Sequence, residues 1–203
     1  MKQKIDYSKN HPNPICKKKN FNKIADLLFE IGTLRNMKRM HCQTLPQAND
    51  TIASHSFEVA IIGTILAKME NVDENKVLKM CLFHDIAEAR TGDANFIHSH
   101  YVEAKEIKAT KDQLSDTPIK EDITEILNEY IRRESAESIV AKDADLINQT
   151  LLQCNYLKES KDLARWNRHS MKLLKTKSAK TLAKTITKRN PFEWFYNFPD
   201  ATE

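Results

Sequence analysis

Apolar residues recur along this chain mostly at spacings of three and four, the pattern that places side chains on one face of an α-helix. The stretches with this period are residues 21–38, 54–70, 73–91, about 100–114, 117–132, a segment that begins near Ser135, and 170–188. We find no run of strictly alternating apolar and polar residues of the kind that forms half-buried strands. The pattern therefore predicts an all-α fold.

Residues with strong capping preferences mark several of the expected helix ends. Asp73 is a good N-cap for the third stretch, and Gly92 fits a C-terminal cap at its end. Thr117 precedes Pro118, which predicts an N-cap followed by proline at the first helical position. Ser135 is expected to cap the helix after that.

Histidines and acids lie on or beside helix faces that should be buried. His55 heads one apolar stripe, His84 and Glu88 belong to a second with Asp85 beside it, and Asp145 lies on a third. Each alone reads as a core histidine or a buried ion pair, but a carboxylate that faces a core is costly unless it is paired or bound to a metal. Two imidazoles and two carboxylates together suit Mn²⁺, Fe²⁺, Co²⁺, Ni²⁺ or Zn²⁺, with Ca²⁺ and Mg²⁺ less typical. The sequence therefore predicts one divalent metal ion at His55, His84, Asp85 and Asp145.

Composition narrows the class of protein. Three glycines in 203 residues argue against Gly-rich phosphate loops, and the four cysteines show no CxxC spacing. A reducing cytosol fits such cysteines best. The first residues lack an apolar signal core, and no stretch is expected to supply the roughly 20 apolar residues of a membrane span. We therefore expect a soluble, cytoplasmic protein.

The net charge of +4 conceals an uneven distribution. Residues 55–157 carry eleven Lys and Arg against nineteen acids, whereas residues 158–189 carry eleven against two. An acidic centre fits a metal-holding core, and basic flanks could attract phosphate-bearing ligands. For the segment 158–189, a solvated helix face is the preferred interpretation, because Lys and Arg alternate there with Leu, Ala and Thr at helical spacing. The organisation expected is a flexible arm over 1–19, a metal-binding core over 20–157, and C-terminal helices over 158–203 that pack on the core.

The last part of the chain is dense in aromatic rings between Pro191 and Pro199. Such rings bury a large apolar area. We expect this tail to dock on the helical body or on a dimer partner.

The order His55, then His84-Asp85, then Asp145 resembles the HD-domain superfamily of metal-dependent phosphohydrolases, whose pattern is His, His-Asp and Asp on a bundle of helices. Within it, the chain is more specifically similar to the 5′-deoxynucleotidase-like branch. That similarity rests on three motifs, which are His55-Ser56-Phe57, the run from His84 to Asp93, and Ser135-Ala136-Glu137. The motifs span residues 55–145, and a weaker similarity continues to about 198.

The resemblance implies an HD-domain helical bundle with a C-terminal helical extension, a homodimer, and one metal ion held by the four pattern residues. Glu88 and Asp93 match acidic residues that work beside the metal in this branch. We assign both to acid and base catalysis, without distinguishing which does which.

One segment departs from the branch. Close relatives carry an Arg-Thr-Gly-Trp-like run before the first metal histidine, in which the arginine contacts phosphate and the tryptophan helps to define the sugar pocket. Residues 37–42 here read Met-Lys-Arg-Met-His-Cys, so a cation is kept but the tryptophan is not. Arg39, with Lys38 as second choice, is assigned to the substrate's phosphate, and deoxyribose selectivity is left open.

The expected function is a metal-dependent phosphohydrolase, foremost a 5′-nucleotidase that converts (deoxy)nucleoside 5′-monophosphates to nucleoside and phosphate. A first alternative is an HD hydrolase of another phosphate ester or anhydride, such as a nucleoside triphosphate or a signalling nucleotide. A second is a non-enzymatic helical module with a structural metal, in which the basic segment binds nucleic acid or a partner. The expected partners are thus a small phosphorylated substrate and a second copy of the chain, rather than a membrane or nucleic acid.

Overall fold

A computed structural model describes residues 20–45, 48–95, 97–156 and 161–197. Over these residues the secondary structure is helical with no strand, which confirms the all-α prediction; one isolated bridge pairs Lys38 with Thr51. The helices are α1 (Phe21–Gly32), α2 (Ile52–Glu70), α3 (Glu74–Phe83), α4 (Glu88–Thr91), α5 (His98–Tyr101), α6 (Glu106–Gln113), α7 (Lys120–Arg132), α8 (Ala136–Tyr156), α9 (Lys161–Leu173), α10 (Lys177–Ile186) and α11 (Glu193–Tyr196).

The main core lies where α2, α3 and α8 meet, with α10 packed against α8 and α2. Val59, Val77 and Ala144 contribute to it from the three central helices, and all are fully buried. Gly63 permits the closest approach, because a Cβ atom added there would lie 2.4 Å from the Sγ atom of Cys81. The absence of a side chain at this position therefore lets α2 and α3 come together.

A smaller core cluster supports the segment after α3. Ile86 packs there with Leu27 of α1, and with Leu114, Ile123 and Leu127. Polar contacts reinforce this packing, since Arg90 donates to both carboxylate oxygens of Glu30, at 2.5 and 2.8 Å, and Gln113 Nε2 donates to Glu30 and to the carbonyl oxygen of Ile86. Helices α1, α4 and α6 are thereby tied together.

The expected helix over 73–91 is interrupted. Asp73 caps its start as predicted, accepting from the main-chain N–H groups of Asn75 and Lys76, and Gly92 forms the C-cap of α4 at φ 77°. Between them α3 ends at Phe83, and the backbone turns through bonds that span three residues, such as Ile86 N–H to Phe83 O. This tighter turn carries His84 and Asp85 out of the regular helix.

At three other places the observed helix boundaries differ from those predicted from the sequence. The first helix ends at Gly32 rather than near Lys38, and the stretch 100–114 is divided between α5 and α6. Thr117 does not cap α7, because its hydroxyl donates to the carbonyl oxygen of Leu114 and the helix begins at Lys120. Ser135 does accept from Ser138 N–H at 3.1 Å, as predicted.

The expected helix over 170–188 is two helices, α9 and α10. Asp143, on α8 and 1% exposed, accepts from the N–H groups of Lys175 and Thr176 at 2.9 and 2.7 Å, and from the Thr176 hydroxyl at 2.7 Å. Thr176 then caps α10 by accepting from Ala179 N–H. The buried carboxylate therefore fixes the break between the two helices.

The predicted arm over 1–19 lies outside the described residues, as do 157–160 and 198–203. Helices α9 and α10 both contact α8. The division of the chain at residues 19 and 157 stays a prediction.

The aromatic tail does not dock on the helical body over the residues described. Phe192, Trp194, Phe195 and Tyr196 are between 52% and 75% exposed. Within α11, the ring of Phe195 contacts the rings of Trp194 and Tyr196 edge-on. Contact with a dimer partner stays a prediction.

Helix α2 corrects the expectation that no stretch approaches the length of a membrane span. By length and composition it could cross a membrane, and half of its apolar window is buried inside the bundle. Core helices of soluble proteins pass the same test, so this is weak evidence for a span.

Candidate metal centre

Three helical segments bring the predicted metal ligands to one place. His55 lies in the first turn of α2, His84 and Asp85 follow the end of α3, and Asp145 lies near the middle of α8. His55 is 2% exposed, and the side chain of His84 is 4% exposed. The histidines are therefore held within the core while the carboxylates reach its edge.

The ligand atoms converge within a few ångströms. His55 Nε2 lies 3.2 Å from His84 Nε2, and 3.4 Å from both Asp85 Oδ2 and Asp145 Oδ1. His84 Nε2 lies 3.1 Å from Asp85 Oδ2. One ligand atom each from His55, His84 and Asp145 lie within 4.8 Å of one another, close enough to share a metal ion.

The outer nitrogens of both histidines are occupied. Nδ1 of His84 donates to the carbonyl oxygen of Cys81 at 2.8 Å, and Nδ1 of His55 lies 2.7 Å from Oδ1 of Asn148. With a proton on each Nδ1, both Nε2 atoms present lone pairs to each other and to two carboxylates. A divalent cation fits such a set, because metal-bound histidines in general donate their other N–H to a carbonyl or carboxylate oxygen.

Electrostatics at the centre favour positive charge. Burial acts to raise the pKa of Asp85, but His84, His55 and Arg39 lower it to about 2. Burial acts to lower the pKa of His84, yet Asp85 and Asp145 raise it above its ordinary value. The carboxylates thus remain ionised and attract a cation.

Lys142 and Asn148 are part of the centre, and the sequence reasoning missed both. Lys142 Nζ lies 2.5 Å from Asp145 Oδ2, which leaves Asp145 Oδ1 directed at His55. Asn148 is 4% exposed and lies one helical turn beyond Asp145. A polar residue three positions from a buried carboxylate on one helix face was an available signal for Asn148.

A cavity of about 410 Å³ adjoins the centre. Asp85, Asp145, Arg39, Glu88 and Asp93 line its polar side. Its other walls include apolar side chains of α6 and α7, which are Ile107, Leu127, Tyr130 and Ile131. The cavity therefore offers charged groups at one end and apolar surface at the other.

Arg39 and Lys38 have different surroundings. Arg39 lies in the cavity wall, with Nη1 3.1 Å from Asp85 Oδ2 and Nε 3.4 Å from Asp93 Oδ2. Met40 N–H also donates to Asp93 Oδ2, at 2.8 Å, so the chain carrying Arg39 is anchored on the segment after α4. Lys38 is exposed and is absent from the cavity lining.

Glu88 is an acid of the cavity whose pKa is strongly raised. Burial raises its pKa to about 9, and the negative charges of Asp85 and Asp93 add to the effect. Its Oε2 atom is buried without a hydrogen-bond partner. Glu106, which the sequence reasoning did not single out, also lines the cavity, and desolvation together with Asp85 raises its pKa.

The family model described as "HD domain" matches residues 31–189. The 5′-deoxynucleotidase HDDC2 of Dictyostelium discoideum is 24% identical over 149 residues, covering 65% of this chain and 76% of that protein. Ribonuclease Y of Borreliella burgdorferi is 29% identical over 115 residues, covering 57% of this chain but 22% of that protein. The second match thus spans less than a quarter of the relative.

Among solved structures, a predicted metal-dependent phosphohydrolase from Magnetospirillum magnetotacticum has a similar fold. The TM-score is 0.62 at 21% identity, and the match covers 83% of this chain and 91% of the other. At this identity the likeness concerns the fold alone. The helical architecture described above agrees with it.

Proposed function

The chain belongs to the HD-domain family, and from that membership we propose that it is a 5′-nucleotidase acting on (deoxy)nucleoside 5′-monophosphates. HD domains are metal-dependent phosphohydrolases, so hydrolysis of a phosphorylated substrate follows from the family. The observation that carries the nucleotidase proposal is the position of Arg39. Its guanidinium pairs with the carboxylate of Asp85, a proposed metal ligand, at the polar end of a cavity large enough for a small phosphate ester.

The proposed metal ligands are His55, His84, Asp85 and Asp145. A divalent transition ion such as Mn²⁺, Co²⁺, Fe²⁺, Ni²⁺ or Zn²⁺ would supply a bound water whose pKa is lowered from ~16 toward ~7. The identity of the ion is left open among these.

Arg39 is proposed to bind the substrate's phosphate. A guanidinium offers several N–H donors in a fixed plane, which match phosphate oxygens and neutralise the charge that they carry in the transition state. Asp93 holds this segment through Met40 N–H and the Arg39 side chain. Lys38, being exposed, is the weaker candidate for the same role.

Glu88 and Asp93 are proposed to carry out the proton transfers. Burial favours the protonated form of Glu88, which suits donation of a proton to the leaving alcohol. Asp93, the ion-pair partner of Arg39, is proposed to orient or deprotonate the attacking water. Proton transfer at a positioned acid or base contributes about 10² to 10⁴-fold to a rate.

The apolar wall formed by Ile107, Leu127 and Ile131 supports a nucleoside as the leaving group. Bases and sugars offer apolar faces that such a wall can cover. The 24% identity with a 5′-deoxynucleotidase supports the same class of substrate. Without a tryptophan in residues 37–42, the choice between ribose and deoxyribose stays open.

The test is release of phosphate from a panel of nucleoside monophosphates by purified protein loaded with Mn²⁺ or Co²⁺. We expect turnover of at least one nucleotide and its loss in His84→Ala. Metal-loaded protein that releases no phosphate from any member would overturn the proposal. The matched control is the same protein treated with a chelator and then reloaded.

A second candidate is hydrolysis of a larger phosphate ester or of an anhydride. Ile107 and Ile131, both about half exposed, line the first cavity and also a neighbouring one of about 830 Å³. The two cavities therefore adjoin, and the similarity to a ribonuclease favours testing phosphodiesters and nucleoside triphosphates in the same panel. A preference for either over all monophosphates would select this candidate.

We also propose a cytoplasmic homodimer. Phe57, Ile61, Ile65 and Met69 follow one line along α2 at spacings of four and are 47–64% exposed, which gives the helix an apolar outer face. A second copy of the chain is the proposed cover for this face. Sedimentation of the wild type and of Ile61→Lys tests it, with a monomeric wild type as the contradicting result.

A further inference from the structure

Glu58 lies at the surface end of a hydrogen-bond chain that reaches the metal centre. Its Oε2 atom accepts from Nδ2 of Asn148 at 2.5 Å, and Oδ1 of Asn148 faces Nδ1 of His55 at 2.7 Å. Glu58 itself is exposed, whereas Asn148 and His55 are 4% and 2% exposed. Three side chains thus connect solvent to a metal ligand.

The two helices that carry this chain also carry metal ligands. Glu58 is three residues after His55 on α2, and Asn148 is three residues after Asp145 on α8. Residues three apart lie on the same side of a helix. The connection therefore spans the contact between α2 and α8 directly behind the ligand atoms.

The carboxylate of Glu58 determines how the Asn148 amide is oriented. An ionised carboxylate only accepts hydrogen bonds, so the NH₂ group of Asn148 must face it and the carbonyl oxygen must face His55. In the opposite orientation, two oxygens would meet at 2.5 Å. The amide orientation thus follows from the hydrogen-bond network.

The amide orientation in turn determines the tautomer of His55. A carbonyl oxygen requires the proton on Nδ1, which leaves the lone pair of Nε2 for a metal ion. A flipped amide would instead direct N–H toward Nδ1 and move the imidazole proton to Nε2, where it would compete with the metal.

We propose that Glu58 and Asn148 are positioning residues that set the tautomer of His55 for metal binding. The proposal rests on the metal site at His55 and not on the identity of the substrate. Outer partners of metal-bound histidines typically contribute about 10- to 100-fold in metal affinity. A charge on the protein surface thereby controls the strength of the metal site.

The sharpest test exchanges the two functional groups. In Glu58→Gln the amide of Asn148 can adopt either orientation, and in Asn148→Asp two carboxylates face each other. The double variant Glu58→Gln/Asn148→Asp has the same charge as the wild type. It restores the order of donors and acceptors along the hydrogen-bond chain. The amide introduced at position 58 can donate to the carboxylate introduced at position 148, and that carboxylate accepts from Nδ1–H of His55. Dissociation constants for Mn²⁺ and Zn²⁺ are measured by calorimetry, without substrate.

We expect Glu58→Gln to bind metal about tenfold more weakly and the double variant to recover to within about threefold of the wild type. Asn148→Asp alone keeps an acceptor for the Nδ1–H group of His55 and should bind metal at least as tightly as the wild type. The Nδ1–H proton signal of His55 in ¹H–¹⁵N spectra of Zn²⁺-loaded protein should weaken in Glu58→Gln and return in the double variant. Glu125→Gln, an exposed glutamate of α7 outside the cavity at the metal centre, removes the same charge and should leave the affinity unchanged.

Two results would overturn the proposal. One is a double variant that binds metal no better than the Glu58→Gln protein, and the other is Glu58→Gln protein with the affinity of the wild type. Because Glu58 is exposed, this variant should remain folded even if Asn148→Asp does not, and urea unfolding without metal checks both. Failure of the nucleotidase proposal would leave these metal affinities unaffected.

Discussion

His55 and His84 present their Nε2 atoms to each other at 3.2 Å, although 29 residues separate them in sequence. Each ring is fixed from behind, by Asn148 and by the carbonyl oxygen of Cys81. Two lone pairs held face to face are stable next to a cation and unfavourable without one. The two histidines therefore favour a divalent cation between them.

Removing a ligand carboxylate should abolish strong metal binding. For Asp145→Asn we expect metal affinity to fall by more than about 100-fold, the upper end of what a residue behind a metal ligand contributes. The reason is that a neutral amide attracts a divalent ion much less than a carboxylate does. Calorimetric titration with Mn²⁺ measures the dissociation constants of the variant and the wild type. Asp116→Asn, at an exposed turn residue, is the matched control, and retention of tight binding by Asp145→Asn would remove Asp145 from the ligand set.

Arg39 and Lys38 offer a paired test at adjacent positions. Arg39→Ala should lower kcat/KM by about 10- to 100-fold, since a charge-assisted hydrogen bond is worth about 1.5–3 kcal/mol. Lys38→Ala should stay close to the wild type, because its side chain is exposed and lies outside the cavity lining. Steady-state kinetics with the best nucleotide gives both values. The reverse order of effects would transfer the phosphate role to Lys38.

Glu88→Gln and Asp93→Asn should lower kcat by about 10²- to 10⁴-fold. Both substitutions keep size and remove the group that transfers a proton. Metal affinity is measured in parallel, because a loss of metal would indicate a structural role instead. Glu103→Gln, at an exposed position, serves as the control.

Gly63→Ala should destabilise the fold by about 1–3 kcal/mol, the usual cost of overpacking a core. The added methyl group would meet Cys81 Sγ at 2.4 Å, so Cys81→Ala should cost less in the Gly63→Ala protein than in the wild type. Urea unfolding of the four proteins gives this coupling energy. Strict additivity would mean that the two side chains do not compete for space.

The ion pair between Glu30 and Arg90 should contribute a pH-dependent part of the stability. Hydrogen bonding to Arg90 lowers the pKa of Glu30 against the effect of burial, and Gln113 adds to the lowering. Because the folded-state pKa is below the unfolded one, this stabilisation is complete above the unfolded pKa and is lost as the pH falls through the folded pKa. We expect at most about 1 kcal/mol, since both groups are partly exposed.

Glu30→Gln should remove that acid dependence. The measurement compares urea midpoints of wild type and variant between pH 6 and pH 3. The two proteins should differ most near pH 6 and converge toward pH 3. A constant difference across the range would assign the contribution of Glu30 to packing rather than to its charge.

The helical fold and the cluster of His55, His84, Asp85 and Asp145 could be anticipated from sequence, because burial and helical period are local properties of a chain. The interruption after Phe83 could not, since no proline or glycine marks residues 84–87 and the turn depends on packing of Ile86 against the smaller core cluster.

Interactions between distant segments account for the other differences. Glu58 meets Asn148 across 90 residues, and Asp143 accepts from a segment 32 residues later. The spacing of apolar and polar residues within a single helix predicts neither of these two hydrogen-bonded pairs. Thr176 is nevertheless a residue type that favours an N-cap, and it marks in the sequence the point at which the stretch 170–188 divides into two helices.

The buried carboxylate of Asp143 has a consequence for how the protein is made. Among the described residues its hydrogen-bond donors come from residues 175 and 176, and it lies on the same helix as Asp145 and Asn148. Until those late residues leave the ribosome, α8 would have to bury an unpaired charge to reach its final position. The metal centre therefore forms only after residues 175 and 176 have been made, and a chain shortened before residue 175 would lose the site along with the helices that it lacks.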